Sequence, residues 1–230
     1  MELIRPSYEI LTKVDGNEVM KQIELAARTC YKSEAKITAG SAREMVHRLI
    51  KSGHEAMIEH SPAISVKFIV DRGVSHELVR HRMASFAQES TRYCDYSGDI
   101  EFVIPPWIDI EPRKYEPHEL PLSVDSPDYT WYYIMRVAES SYNALRSEGW
   151  SPQQARSVLP NSLKTEIIVT ANLREWRHIF KLRAIGTTGR PHPQMAEIMV
   201  PLCVAMCEIL PEVFDDLFRE LLVKDLAIKQ

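Results

Sequence analysis

The stretch "AISVKFIVDRGVSHELVRHRMA", residues 63–84, contains the change of period on which the fold turns. Ile64, Val66, Phe68 and Val70 alternate on one face with Lys67 on the other, the two-residue period of a half-buried strand. Asp71, Arg72 and Gly73 then turn the chain, and Ser75 is placed to cap a helix over "SHELVRHRMA". On that helix Glu77, Arg80 and His81 stand at i, i+3 and i+4 and share a face.

The same order recurs further on, where "TEIIVTA" reads as a strand and "NLREWRHIFKLRA" as a helix capped by Asn172. Upstream, "SYEILTKV" has a short strand pattern. Asn17 is placed to cap a helix carrying Val19, Ile23, Ala26, Ala27 and Cys30, and a second helix begins near Ser41 with Met45, Leu49 and Ile50 on one side. The proline-rich run from Pro105 to Pro127 reads as a long surface loop. Asp125, Ser126 and Pro127 start a long helix that Gly149 ends, Ser151 and Pro152 start a short one, and two apolar helices split by Pro211 close the chain. Helices and strands mix without a βαβ rhythm. The pattern predicts an α+β fold, an antiparallel-rich sheet packed with helices, as a single domain over 1–230 with a helical C-terminal part.

With 230 residues, 45% of them apolar, the chain can bury a substantial core. A net charge of -4 argues against a general polyanion binder, so local basic clusters point to small anionic ligands and not to nucleic acid. Cys30, Cys94, Cys203 and Cys207 lack zinc spacing and read as core thiols in a reducing compartment. "MELIRPSYEI" has no signal-peptide character and no apolar run reaches bilayer length, so a cytoplasmic protein without membrane contact is expected.

Chemistry-bearing residues concentrate in two blocks, each placed after a strand and a turn. Arg80, Arg82 and Arg92 belong to the first, "RHRMASFAQESTRY" (80–93), and Arg174, Arg177 and Arg183 to the second; Arg156 stands just before the second strand. Arginine holds its charge and offers a planar fork matched to phosphate and carboxylate. Singly, each reads equally as a solvated helix face. Taken alone, the first block admits four readings: solvated surface, nucleic-acid contact, anion cradle, or the setting of a serine nucleophile. Ser90 lacks a strained Gly-x-Ser-x-Gly elbow and reads better as a ligand-binding serine. In "GHEAMIEH" (53–60), His54 and His60 are six apart, about 240° of helix rotation, which does not suit a zinc pair. No metal site is expected. "GTTGRP" (186–191) is only a weak phosphate-loop hint.

Arg80-His81-Arg82, seven residues and Ser90 resemble the RHR-x7-S signature of the flavin-dependent thymidylate synthases. "GHEAMIEH", "ARSVLPNSL", "TANLREWRHIFKLR" and "HPQM" resemble that family's further motifs in the same order. The resemblance implies a methyltransferase that carries a one-carbon unit from methylenetetrahydrofolate to C5 of dUMP, with FAD reduced by NADPH as hydride source. It also implies a homotetramer with sites between subunits. Carried over by position, Arg80, His81 and Arg82 would touch FAD, as would Asn172, Leu173, Arg174 and His178. Gln88 would lie where FAD and dUMP meet, and His54 near the flavin. Glu77, Leu78, Val79 and Arg80, then Gln88, Glu89, Ser90, Thr91 and Arg92, with Arg156, would hold dUMP. Arg183 matches the catalytic arginine that promotes ionisation of uracil at N3.

Two departures accompany the match. Ala56 stands where many members have Ser or Thr on FAD and offers only its backbone, and the loop 184–192 is about two residues longer than the family form. Neither removes a charged ligand. A guanidinium about 4 Å from the uracil anion, at an effective dielectric near 20, is worth about 4 kcal/mol. Against this reading stand a nucleotide phosphohydrolase, which would need a metal-binding carboxylate cluster, and an RNA-binding module, which the acidic net charge opposes.

Overall fold

In the computed structural model, which describes residues 1–228, the chain opens with two short strands, β1 (Glu2–Ile4) and β2 (Ser7–Ile10). β2 is shorter than "SYEILTKV" predicts, because past Ile10 the Thr12 hydroxyl takes over the ladder and accepts from the Ser65 N–H at 2.9 Å. Helix α1 (Gly16–Thr29) is capped by Asp15, whose carboxylate accepts from the N–H groups of Asn17 and Glu18. Asn17 is therefore inside the first turn and is not the cap. Helix α2 (Ser41–Lys51) begins where predicted and buries Ala42, Met45, Val46 and Leu49.

Strand β3 (Ile64–Asp71) buries Ile64, Val66, Phe68 and Val70, the alternation read from the sequence. The helix after it, α3 (Arg72–Leu78), starts earlier than predicted. Asp71 Oδ1 accepts from the Val74 N–H at 2.7 Å, so Asp71 is the cap, and Ser75 lies inside the helix with its hydroxyl donating to the Arg72 carbonyl. Seven residues exhaust the helix, and Val79 closes it. Arg80, His81 and Arg82 therefore lie beyond the helix, with Arg80 in a turn closed by its N–H on the Glu77 carbonyl: His81 is 4% exposed, while Arg80 and Arg82 are exposed. A turn closed by the Ala84 N–H on the His81 carbonyl then leads to β4 (Ser85–Gln88), a strand absent from the sequence-based expectations.

Strand β5 (Glu101–Val103), also unpredicted, pairs with β1 in parallel, Leu3 opposite Phe102. The proline-rich run up to Pro127 forms no helix or strand, yet it is not simply a surface loop: Ile108, Ile110 and Tyr115 are buried in the core. Helix α4 (Pro127–Ser147) is capped by Ser126, Gly149 follows it at φ 88°, and α5 (Pro152–Ala155) is the short helix expected. Strand β6 (Lys164–Ala171) runs into α6 (Leu173–Phe180), capped by Asn172 through the Glu175 N–H at 2.9 Å. A π-helical turn, Lys181–Ile185, ends at Gly186 with φ 73°. Helices α7 (Pro193–Ile209) and α8 (Pro211–Ile228) meet at Pro211 as predicted.

The second sheet has the order β2-β3-β6-β4, and the fold is α+β. β3 and β6 are antiparallel, since Ser65 meets Thr170 at one end and Arg72 meets Asn161 at the other. Two compact units form along the chain. The first comprises 1–7, 67–80 and 86–168, with a core of Leu3, Phe102, Ile104, Tyr115, Tyr132 and Tyr142. The second comprises 8–66, 81–85 and 169–228 and buries Trp176, Phe180 and Phe214, whose successive ring centroids lie 5.7 and 5.6 Å apart. Strands β3 and β6 pass from one unit into the other. No helix among the described residues is long and apolar enough to cross a membrane. Cys203 and Cys207 are buried, with Cys203 pushed up to about 12 by burial, but Cys30 is exposed and not a core thiol as expected.

Candidate active site

In the first unit the edge strand β4 delivers Gln88 beside β6. Its amide nitrogen donates to Ser75 Oγ at 2.8 Å and to Thr165 Oγ1 at 3.3 Å, which fixes the side chain. Glu89 is held on several sides: its Oε1 accepts from the Tyr96 hydroxyl at 2.7 Å, its Oε2 from the Glu166 N–H at 3.1 Å, and Lys164 Nζ stands 3.7 Å away. Burial, then the hydrogen bond to Glu89, pushes the Tyr96 phenol far above its ordinary range, so it stays a donor. Glu89 is thus anchored to the scaffold rather than presented to solvent.

Beyond it the chain turns, with the Tyr93 and Cys94 N–H groups donating to the Ser90 carbonyl. Thr91 is buried and accepts from Arg156 Nη1 at 2.9 Å, which brings Arg156, placed in the sequence just before the second strand, to the first block. Arg92 is exposed and lies over Tyr93. Glu77 is half-buried, Leu78 is in the core, and Val79 is exposed. Arg72 escaped the sequence reading; it donates to the Glu89 carbonyl and to Thr165 Oγ1, tying β4 to β6.

In the second unit, Asn172, Arg174 and His178 line one cavity of about 350 Å³ together with Glu55, Glu59, Met83, Glu175 and Lys181. Asn172 is there because a cap must sit at the strand-to-helix turn, and Arg174 and His178 follow at i+2 and i+6 on the helix it starts. Leu173 is wholly buried and its N–H donates to Ser61 Oγ, so its side chain takes no part in the cavity. Ala56, on the 3-10 turn Glu55–His60, is exposed, as is His54 before it. Arg174 is ion-paired to Glu59. Burial disfavours ionised Glu55, but hydrogen bonds from Lys181 and Arg177 overcome it and hold its pKa below the ordinary range.

Arg177, grouped by sequence with the ligand arginines, is 1% exposed and bound to Asp216 and Glu55, so it is a structural cation. Arg183 donates from Nε to His81 Nε2 at 3.1 Å. On the other side of the ring, His81 Nδ1 is 3.5 Å from Glu175 Oε1, and the His178 ring stands edge-on at 5.6 Å. Burial first, then the charges of Arg183 and His178, lowers the His81 pKa to about 4, so the imidazole is neutral near pH 7. Burial raises the Glu175 pKa. Donor atoms of His81, Glu175 and His178 lie within 4.8 Å of one another, but the fixed charge of Arg183 against His81 opposes a cation there. Glu175, Lys181 and Met83 were missed in the sequence; an acid three residues before a histidine on a helix started by Asn172 was the available signal for Glu175.

The cavity presents the Asn172 amide, Arg174 and Lys181 together with the carboxylates of Glu55, Glu59 and Glu175, beside a neutral, sequestered imidazole that backs Arg183, in an α+β scaffold. Residues 11–212 match the family model described as Thy1, thymidylate synthase complementing protein. The chain is 32% identical to the flavin-dependent thymidylate synthase of Mycobacterium marinum over 224 residues, 93% of this chain and 85% of that protein. It is 33% identical to the flavin-dependent thymidylate synthase of Corynebacterium glutamicum, over 89% of this chain and 81% of that one. Its fold resembles the crystal structure of PolB, a UMP/dUMP methylase from Streptomyces cacaoi bound with 5-Br dUMP (TM-score 0.73, 22% identity, 94% and 96% of the two chains). The chain belongs to the flavin-dependent thymidylate synthase family. Its reaction is the reductive methylation of dUMP by flavin and folate chemistry.

Proposed function

We propose that the chain works as one synthase domain, with FAD as the flavin, NADPH as its reductant and methylenetetrahydrofolate as the carbon donor. The observation that carries this reading is that Asn172, Arg174 and His178, three positions matched to FAD in the family, line one cavity. The cavity falls within the size range of ligand sites, and its donors suit a diphosphate: a planar guanidinium, the Lys181 ammonium and the Asn172 amide. Arg174 would exchange its exposed Glu59 partner for a phosphate oxygen, and Met83 would give an apolar contact. Arg80, His81, Arg82 and Gln88, with the backbones of Ala56 and Leu173, complete the proposed flavin set. FAD, when bound, supplies the reducing equivalents.

The nucleotide is assigned to Glu77, Leu78, Val79 and Arg80, to Gln88, Glu89, Ser90, Thr91 and Arg92, and to Arg156 and Arg183. Anchored Glu89 serves by holding the turn at Ser90, whose hydroxyl accepts from the Arg92 N–H at 3.3 Å. C5 of uracil must act as nucleophile, so electron density has to enter the ring. Arg183 stabilises the anionic ring as a fixed charge and needs no proton transfer of its own. The active assembly in this reading is a homotetramer in the cytoplasm with sites between subunits. Visible absorption of the purified protein tests it: a flavin spectrum that changes on adding dUMP is expected, with thymidylate formed from dUMP, NADPH and methylenetetrahydrofolate. Flavin-free protein that also fails to bind added FAD overturns it.

A further inference from the structure

We propose that Glu175 is a positioning residue that acts through His81 to orient Arg183. The three side chains form a line in which the imidazole is the middle member. Arg183 donates from Nε to His81 Nε2 at 3.1 Å, and Glu175 Oε1 faces His81 Nδ1 at 3.5 Å. His81 is 4% and Glu175 8% exposed, so water does not compete freely for either. A neutral imidazole carries one N–H, and a ring that accepts at Nε2 must carry it at Nδ1, toward the carboxylate. The other tautomer would set N–H against the Arg183 N–H and a bare Nδ1 lone pair against the Glu175 carboxylate. Both neighbours therefore select the same tautomer, and the His178 ring, which like Glu175 comes from α6, also faces His81.

The consequence reaches Arg183 because its Nε is part of the rigid guanidinium plane. An acceptor fixed at Nε fixes that plane, on a π-helical turn that Gly186 closes. Glu175 itself is held: its N–H is capped by Asn172, the residue that also lines the cavity. Partners that orient a metal-ligating histidine change function by about 10–100-fold when removed, which sets the scale for a carboxylate that orients His81. The inference rests on the reading of Arg183 as the arginine that faces the pyrimidine.

The test uses holoenzyme labelled with [15N]histidine, the His81 signals being assigned by their loss in His81→Gln. Wild-type protein is expected to show His81 protonated at Nδ1. Glu175→Ala is expected to give a mixture of tautomers and to lower kcat for dUMP about 10-fold or more, with flavin content retained and KM changed less than kcat. Glu175→Met takes its place should the alanine variant not fold. Glu175→Gln, whose amide oxygen can face Nδ1–H in the carboxylate's place, is expected to restore the tautomer and most of kcat. Unchanged 15N signals and unchanged kcat in Glu175→Ala overturn the proposal. Full turnover by Arg183→Ala instead removes the reading beneath it, and the two failures are told apart by which variant is active.

Discussion

The two terminal nitrogens of Arg177 each lie 2.7 Å from a different carboxylate oxygen of Asp216, a bidentate pair joining α6 to α8. Arg177 is buried and Glu55 is its second carboxylate partner. Removing one member of a buried pair leaves an uncompensated charge and typically costs about 3–5 kcal/mol. Because Asp216 is half-open and Glu55 remains, Asp216→Ala is expected to cost about 2 kcal/mol, read from the shift of the urea midpoint. An unchanged midpoint would mean that the pair contributes nothing to stability.

Acid should weaken the fold through His81. Its folded pKa is about 4, against about 6.5 for an unperturbed histidine. Between those values the unfolded chain binds a proton that the folded chain refuses, so stability falls as pH drops from about 6.5 toward 4 and levels once both states are protonated. Unfolding midpoints across this window should fall less steeply for His81→Gln than for wild type. Equal slopes would show that His81 is not the group refusing the proton.

Arg174 separates binding from stability. It is exposed and paired only at the surface with Glu59, so Arg174→Ala should change stability by less than about 0.5 kcal/mol. A lost charge-assisted bond to a phosphate of about 1.5–2.5 kcal/mol should weaken FAD binding by roughly 10–100-fold, measured by flavin fluorescence titration. Unaltered affinity would remove Arg174 from the flavin site.

Arg183→Ala should keep the flavin and lose dUMP methylation. The fixed charge is worth about 4 kcal/mol at the uracil anion, which corresponds to a fall in rate of about 1,000-fold. Single-turnover assays with reduced flavin would read this directly, and wild-type rates would show that the ring is activated elsewhere.

Gly186 has φ 73°, and a Cβ there would meet the Gly189 carbonyl oxygen at 2.5 Å and Pro191 Cδ at 2.7 Å. Gly186→Ala should therefore destabilise by about 1–3 kcal/mol and displace the π-helical turn that carries Arg183, lowering turnover as well. Calorimetry and the dUMP assay on the same preparation would check both effects.

Much of the second block was legible because its determinants are local. Asn172 caps α6 whatever lies around it, and the alternation of β3 and β6 follows from burial of one strand face. The first block was harder: Asp71 competes with Ser75 for the same helix start, and the carboxylate at the strand end wins four residues earlier. That shift ends the helix at Leu78 and turns His81 inward, which no periodicity in "RHRMASFAQESTRY" announces. The strands β1, β4 and β5 were missed because three or four polar-mixed residues carry no period, and only a pairing partner makes them strands.

The sequence by itself determined the order of the helices, the two longer strands and the resemblance to a family, since caps, alternation and motif spacing are properties of neighbours along the chain. Tertiary structure alone decided the use of each charged side chain. Arg177 and Arg183 are six residues apart in one helical segment, yet one is sealed against Asp216 and Glu55 while the other meets a neutral histidine 102 residues away. Burial and distance across the fold set those partners, and with them the pKa of His81, because desolvation and Coulomb energy depend on separation in space rather than along the chain.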